Sequence, residues 1–122
     1  MRRAVIALLA LSFSACLTEP SEAGVAAGRY TLQSVNGTAL PFTFPNNVAV
    51  VSEILILDPN GTFQDIATRS DGAAVTDVGN YTVVGNRVTF SDQTVLLLYS
   101  GDISGNVLTT LVGTFTERWQ RQ

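Results

Sequence analysis

The sequence predicts an all-β fold, an antiparallel arrangement of seven or eight short strands in a sandwich or a closed barrel. Three observations carry this. From Gly28 onward, apolar and polar residues alternate with the period of two that suits strands half-buried on one face. The alternation is interrupted by residues with a specific turn chemistry, at Asp58 to Gly61, Gly85-Asn86 and Gly105-Asn106. No stretch of this region keeps a convincing helical period. Strands this short and evenly spaced belong to sandwiches or barrels, and closure removes the unpaired edges that so β-prone a chain would offer to neighbours.

The chain opens differently. "MRRAVIALLALSFSAC" runs from Arg2 and Arg3 through the apolar stretch Ala4 to Leu11 to the small residues Ser12, Ser14 and Ala15. That is the order of a secretory signal helix, and its apolar run is too short to cross a hydrocarbon core of about 30 Å. Residues 1–15 are therefore expected to be cleaved. Phe13-Ser14-Ala15-Cys16 resembles a bacterial lipobox, which implies lipidation of Cys16, with acyl chains contributing about 0.8 kcal/mol per buried CH₂. Ordinary cleavage after Ser14 or Ala23 is the other outcome these residues allow. Cys16 is the only cysteine, and a lone thiol in an exported protein can form no internal disulfide, so attachment is the use left for it. Leu17 carries no charge, and resemblance to enterobacterial lipoproteins then implies a lipid-anchored place in the cell envelope, at the outer membrane where the cell has one. Residues 16–27 read as an aperiodic lipidated tether, of which Leu17 to Ala27 would span roughly 18 Å.

Residues 28–122 form the expected β domain. "GRYTLQSVNG" turns Tyr30 and Leu32 to one face. "NGTALPFTFPNN" (Asn36 to Asn47) is the longest non-repetitive region, either a lid over a barrel mouth carrying Phe42 and Phe44 or a strand edge blocked by Pro41 and Pro45. "VAVVSEILILD" is nearly continuously apolar, with Glu53 the exception within it, too β-branched for a helix and too apolar for one face to lie fully in water. In "DPNG", Asp58 can accept backbone N–H bonds, Pro59 presets φ, and Gly61 can adopt positive φ. "GTFQDIATRS" places Phe63, Asp65, Ala67 and Arg69 on one face. "NYTVVGNRVTF" and "YSGDISGNVLTTL" read as tight hairpins, with "QTVLLLYSG" and "NVLTTLVGTFTERW" completing the count.

Composition excludes several functions. The chain has no histidine and no lysine, which removes Ser-His-Asp and Cys-His nucleophile systems, imidazole metal sites and Schiff-base chemistry. No catalytic residues, metal or cofactor are expected. A two-carboxylate glycosidase is the one familiar enzyme class left, and so small a domain lacks its long cleft. Beyond residue 15 there are five arginines against ten carboxylates, a net charge of −5, so no basic patch exists for nucleic acid.

The order "GRYTLQSVNGTALP", "LILDPNGTF", "GNYTVVGNRVTF", "YSGDISGNVLT", closed by an aromatic and arginine-containing strand, resembles the lipocalin-like domains of small, mostly uncharacterised bacterial lipoproteins over about Gly28 to Trp119. The resemblance implies an up-and-down antiparallel lipocalin-like barrel or half-barrel, and it brings neither a known ligand nor catalytic residues. The chain lacks the two-cysteine bridge of larger lipocalins. An eight-stranded barrel is just wide enough to be filled by side chains or to hold one small ligand. Two expectations follow. One is a membrane-tethered binder of a small apolar or amphiphilic molecule, with Tyr81 and Tyr99 as walls, Asp65 or Arg69 fixing a polar end, and Phe42 and Phe44 over the mouth. The other is a packed barrel whose surface binds an envelope protein or inhibits an enzyme. Strand tyrosines more often serve as core, and Asp65 and Arg69 also read as a solvated pair.

Overall fold

The alternation becomes one closed sheet in the computed structural model, which describes residues 22–122. Cys16 and the signal segment 1–15 lie outside the described residues. A one-turn helix, α1 (Glu22–Ala26), precedes ten strands: β1 (Gly28–Val35), β2 (Thr38–Ala39), β3 (Phe42–Thr43), β4 (Ala49–Leu57), β5 (Thr62–Arg69), β6 (Ala74–Val84), β7 (Arg87–Asp92), β8 (Leu97–Ser104), β9 (Val107–Val112) and β10 (Phe115–Arg121). Strands β4 to β10 pair consecutively and antiparallel. Strand β1 then joins β10 on one side and β4 on the other, which closes an eight-stranded up-and-down barrel. The two-residue strands β2 and β3 are extras, on β1 and β4. Of the expected barrel or half-barrel, the closed form is the one observed.

Two register shifts tune which side chains enter the interior. On β1 a shift between Leu32 and Ser34 switches the phase, so that Tyr30, Leu32 and Val35 all point inward. On β4 a shift between Val50 and Ser52 does the same, burying Val50 along with Glu53, Leu55 and Leu57 while Val51 faces out. The outward Ile54 and Ile56 are half-buried.

One end of the barrel, the base, is sealed. Its three hairpin turns are those the sequence predicts. In the first, Gly61 N–H donates to Asp58 O (3.0 Å), Asn60 N–H donates to Asp58 Oδ1 (3.0 Å), and Gly61 has φ 93°. Gly85 and Gly105 both have φ 61° while the asparagines after them do not have positive φ, which selects the II′ form from the two that Gly-Asn permits. Each base turn is tied to the next hairpin by a backbone hydrogen bond, from Tyr81 N–H to Gly61 O, from Ile103 N–H to Asn86 O and from Arg121 N–H to Asn106 O. Helix α1 makes its contacts with β6 and buries Ala26 completely; the carbonyl of Ala26 accepts from Tyr30 Oη at 2.7 Å. Arg121 donates to the same hydroxyl and lies over the Tyr30 ring, 5.2 Å from its centroid. The stretch read as tether thus becomes helical at Glu22.

Above the base the interior is filled. Tyr30, Phe63, Phe90, Leu55, Leu57, Leu108 and Trp119 are fully buried. Phe63 meets Phe90 edge-on at 5.4 Å, and Tyr99 stacks on the other side of the cluster, 4.8 Å from Phe90. Gly79 makes room for this packing, since a Cβ there would come within 2.1 Å of Ser91 O and 2.8 Å of the Phe63 ring.

Candidate functional site

At the other end of the barrel, the mouth, the strands keep their alternation but change its chemistry. Glu53 is in phase with Leu55 and Leu57 on β4, Asp65 with Phe63 on β5, Asp77 with Tyr81 and Val83 on β6, Asp92 with Val88 and Phe90 on β7, and Glu117 with Trp119 on β10. All five carboxyl groups therefore converge on one recess of about 180 Å³, whose apolar walls are Phe44, Val95, Leu97, Tyr99 and Val112. No arginine lines it.

The carboxyls adapt to one another. Burial pushes Glu53 up to about 11, with hydrogen bonding to the Asp65 carboxyl as the next cause, so at neutral pH Glu53 holds its proton and donates it to Asp65. Asp65 is raised as well, first by burial. Its Oδ1 is buried without a hydrogen-bond partner. Directly across the β5–β6 ladder stands Asp77, pushed up to about 6 by burial and by Asp92. Burial, then Asp65, brings Glu117 up to about 7. Glu117 Oε1 accepts from Thr110 Oγ1 (3.2 Å), which itself accepts from Trp119 Nε1 (3.1 Å). Asp92 Oδ1 accepts the backbone N–H groups of Thr94 and Val95, at 2.9 and 3.1 Å, and so shapes the β7–β8 turn at the rim. The Tyr99 hydroxyl is raised by burial and by the acids around it.

The residues singled out in the sequence separate into three places. Phe44, Asp65 and Tyr99 line the recess. Phe42 stands behind Phe44, 4.9 Å away and edge-on, and both meet Phe115, so the Asn36 to Asn47 segment contributes an aromatic corner to the mouth. Tyr81 and Arg69 are elsewhere. Tyr81, 3% exposed, belongs to the core on the base side, where its hydroxyl donates to Asp58 O at 2.5 Å. Arg69 pairs with Asp71 across the β5–β6 turn at 2.6 Å, on the outer rim. The sequence reading missed Glu53, Asp77, Asp92 and Glu117 as a group, although each shares a face with core residues of its own strand and that alternation marks it as inward.

Chemically, the recess offers ionised and protonated carboxyl oxygens beside apolar and aromatic walls. Among the described residues no group of three or more acidic side chains is arranged to hold a metal ion. No protein-family model, no curated protein and no solved structure matches this chain.

Proposed function

We propose that this chain is a lipid-anchored, non-catalytic binding module of the bacterial envelope, lipocalin-like in architecture, whose barrel mouth receives a positively charged organic group. The observation that carries the reading is the convergence of five carboxyls with no basic residue lining the same recess. An ammonium or guanidinium there gains charge-assisted hydrogen bonds in a partly desolvated site, and Asp65 Oδ1 gains the partner it lacks. The lining moves the expected ligand from apolar to cationic, with Phe44, Tyr99 and Val112 left to cover its carbon atoms. A two-carboxylate hydrolase fits less well, because a recess of about 180 Å³ takes one small group or side chain and has no room for sugar units on both sides of a scissile bond. With the chain anchored at Cys16, helix α1 at the base is the part of the barrel nearest the tether, and the mouth opens at the opposite end.

Calorimetric titration with n-butylamine tests the mouth. Binding is expected at pH 8 and weaker at pH 5, where Glu117 and Asp77 are largely protonated and must lose a proton to pair with the ammonium. A double variant, Asp77→Asn with Glu117→Gln, should lose at least tenfold in affinity at pH 8. Equal binding by parent and variant would sink the reading. The anchor is tested separately by Cys16→Ser, which should move the protein from the membrane fraction to the soluble one.

A further inference from the structure

The tip of the β7–β8 hairpin is built from the wrong residues for a turn. Val95, Leu96, Leu97 and Leu98 follow one another there, with Val95 58%, Leu96 84% and Leu98 73% exposed. Turns are normally made from Gly, Asn, Asp, Ser or Pro, and a run of exposed apolar residues is a folding liability unless something covers it. Leu96 has φ 56°, in the left-handed region that a bulky side chain avoids, where asparagine or glycine would be the residue chosen by folding alone. The tip is also held in shape. Asp92 Oδ1 accepts from two of its N–H groups, Gln93 N–H donates to Val78 O, and Val78 N–H donates to Thr94 Oγ1 at 3.0 Å. It is thus a preformed apolar projection and not a loose loop.

Position says what it projects toward. Val95 and Leu97 are recess walls as well as members of the tip, so whatever places a charge in the recess touches the tip as it enters. A bare metal ion or a small free amine would leave Leu96 and Leu98 in water. A bilayer is a poor match, because the recess beside the tip is lined by five carboxyls with no cation, and the rim's Arg69 is already paired with Asp71. A second copy would bring one acidic mouth against another. We propose that the Val95–Leu98 tip is a docking edge for a segment of a partner protein that carries a lysine or arginine side chain, flanked by apolar residues, into the mouth. The inference rests on the cation-binding reading of the recess and names the source of the cation. The modest volume of the recess agrees with one long side chain, and the charge of the recess complements its head group while the tip covers its apolar neighbours.

The test uses the full chain and an acetylated, amidated pentapeptide, Leu-Phe-Lys-Phe-Leu, compared with n-butylamine and with the same peptide carrying glutamine in place of lysine. The lysine peptide is expected to bind at least tenfold more tightly than butylamine, and the glutamine peptide at least tenfold more weakly than the lysine peptide. Leu96→Ser with Leu98→Ser, both outside the recess lining, should cut lysine-peptide affinity at least fivefold, with butylamine affinity and the thermal midpoint unchanged. If butylamine binds but peptide affinity ignores the tip substitutions, the docking edge is overturned and the cation site stands. If butylamine does not bind and the two peptides bind alike, both readings fall. Tip-dependent sedimentation with phosphatidylcholine–phosphatidylglycerol vesicles, or tip-dependent dimerisation, without peptide binding, would assign the tip to a membrane or to a second copy and would also overturn the proposal.

Discussion

At the base of the barrel β4, β6, β7 and β9 turn Leu57, Val83, Val88 and Leu108 inward; at the mouth, the inward positions of β4, β5, β6, β7 and β10 hold Glu53, Asp65, Asp77, Asp92 and Glu117. Backbone pairing is continuous between the two ends, so the sheet itself does not require the change. What differs is the cost of the side chains. The base excludes water and satisfies its few polar groups internally, as Tyr30 does with Ala26 and Arg121. The mouth gathers like charges in partial burial, which raises the proton affinities of Glu53, Asp65, Asp77 and Glu117 and opposes folding at neutral pH. A sequence selected for stability alone would continue the apolar pattern to the rim. The place where it departs from that pattern is the place to look for function.

The largest expected effect lies on the packed side of this contrast. Trp119→Ala should cost about 3–5 kcal/mol, because it empties the largest fully buried side chain and orphans a hydrogen bond to Thr110. Urea unfolding measures it, and a loss under 1 kcal/mol would mean that the core is not packed as described. Next comes the mouth. Glu117 binds its proton more tightly folded (about 7) than the ordinary carboxyl value of 4.5, so over that window the folded state holds more protons than the unfolded one and stability falls as pH rises. Glu117 alone contributes on the order of 3 kcal/mol to this fall, at about 1.4 kcal/mol per tenfold in proton affinity, and Glu53 acts in the same direction. The protein should thus have a higher unfolding midpoint at pH 4.5 than at pH 8, with the difference reduced in Glu117→Gln. A stability that is flat or rises over this range would erase the contrast between the two ends.

Smaller effects sharpen it. Tyr30→Phe at the base should cost about 1–3 kcal/mol by leaving Ala26 O and the Arg121 guanidinium without their shared hydroxyl. Glu53→Gln should change stability by less than about 1 kcal/mol at pH 4, where the unfolded chain also holds this proton, since a protonated carboxyl and an amide have similar shape and both can donate to Asp65; at pH 7 it should stabilise, because the amide takes up no proton on folding. A large loss there would show that Glu53 is ionised in the native state. Smallest is Arg69→Ala, which removes an ion pair between two exposed side chains and should leave the urea unfolding midpoint unchanged.

The same two ends differ in how readable they were in the sequence. All three base turns announce themselves through Asp58-Pro59-Asn60-Gly61 and the two Gly-Asn pairs, because positive φ and Asx hydrogen bonding demand particular residues. At the mouth, Asn36-Gly37, with φ 51° and 81°, and Asp71-Gly72 carry the same grammar and pass unremarked inside longer segments; Gly113 divides what reads as one final run into β9 and β10. The Gln93 to Leu96 turn could not be read at all. Its residues are those of a strand, and what bends it is the side chain just before them, Asp92, through local bonds to the Thr94 and Val95 N–H groups that the apolar run after it hides. The candidate site is intermediate. Period-two alternation assigns every one of its acids to the inward face, but only the closed circuit of strands brings β4, β5, β6, β7 and β10 round to a common point. Tyr81 and Tyr99 show the same limit: both face inward, and their depth along the barrel axis, which local alternation does not encode, makes one core and the other wall.

The hydrogen-bond chain from Trp119 Nε1 through Thr110 Oγ1 to Glu117 Oε1 joins the floor of the molecule's chemistry to its optics. Trp119 is the chain's single tryptophan, and indole emission shifts with the charge and hydrogen bonding at its N–H. Ionisation of Glu117, or a cation drawn to it, polarises the Thr110 hydroxyl and through it the fluorophore. The folded protein therefore reports on its own recess without a label: its ultraviolet emission should titrate near pH 7, and the inflection should move to lower pH when an ammonium ion occupies the mouth.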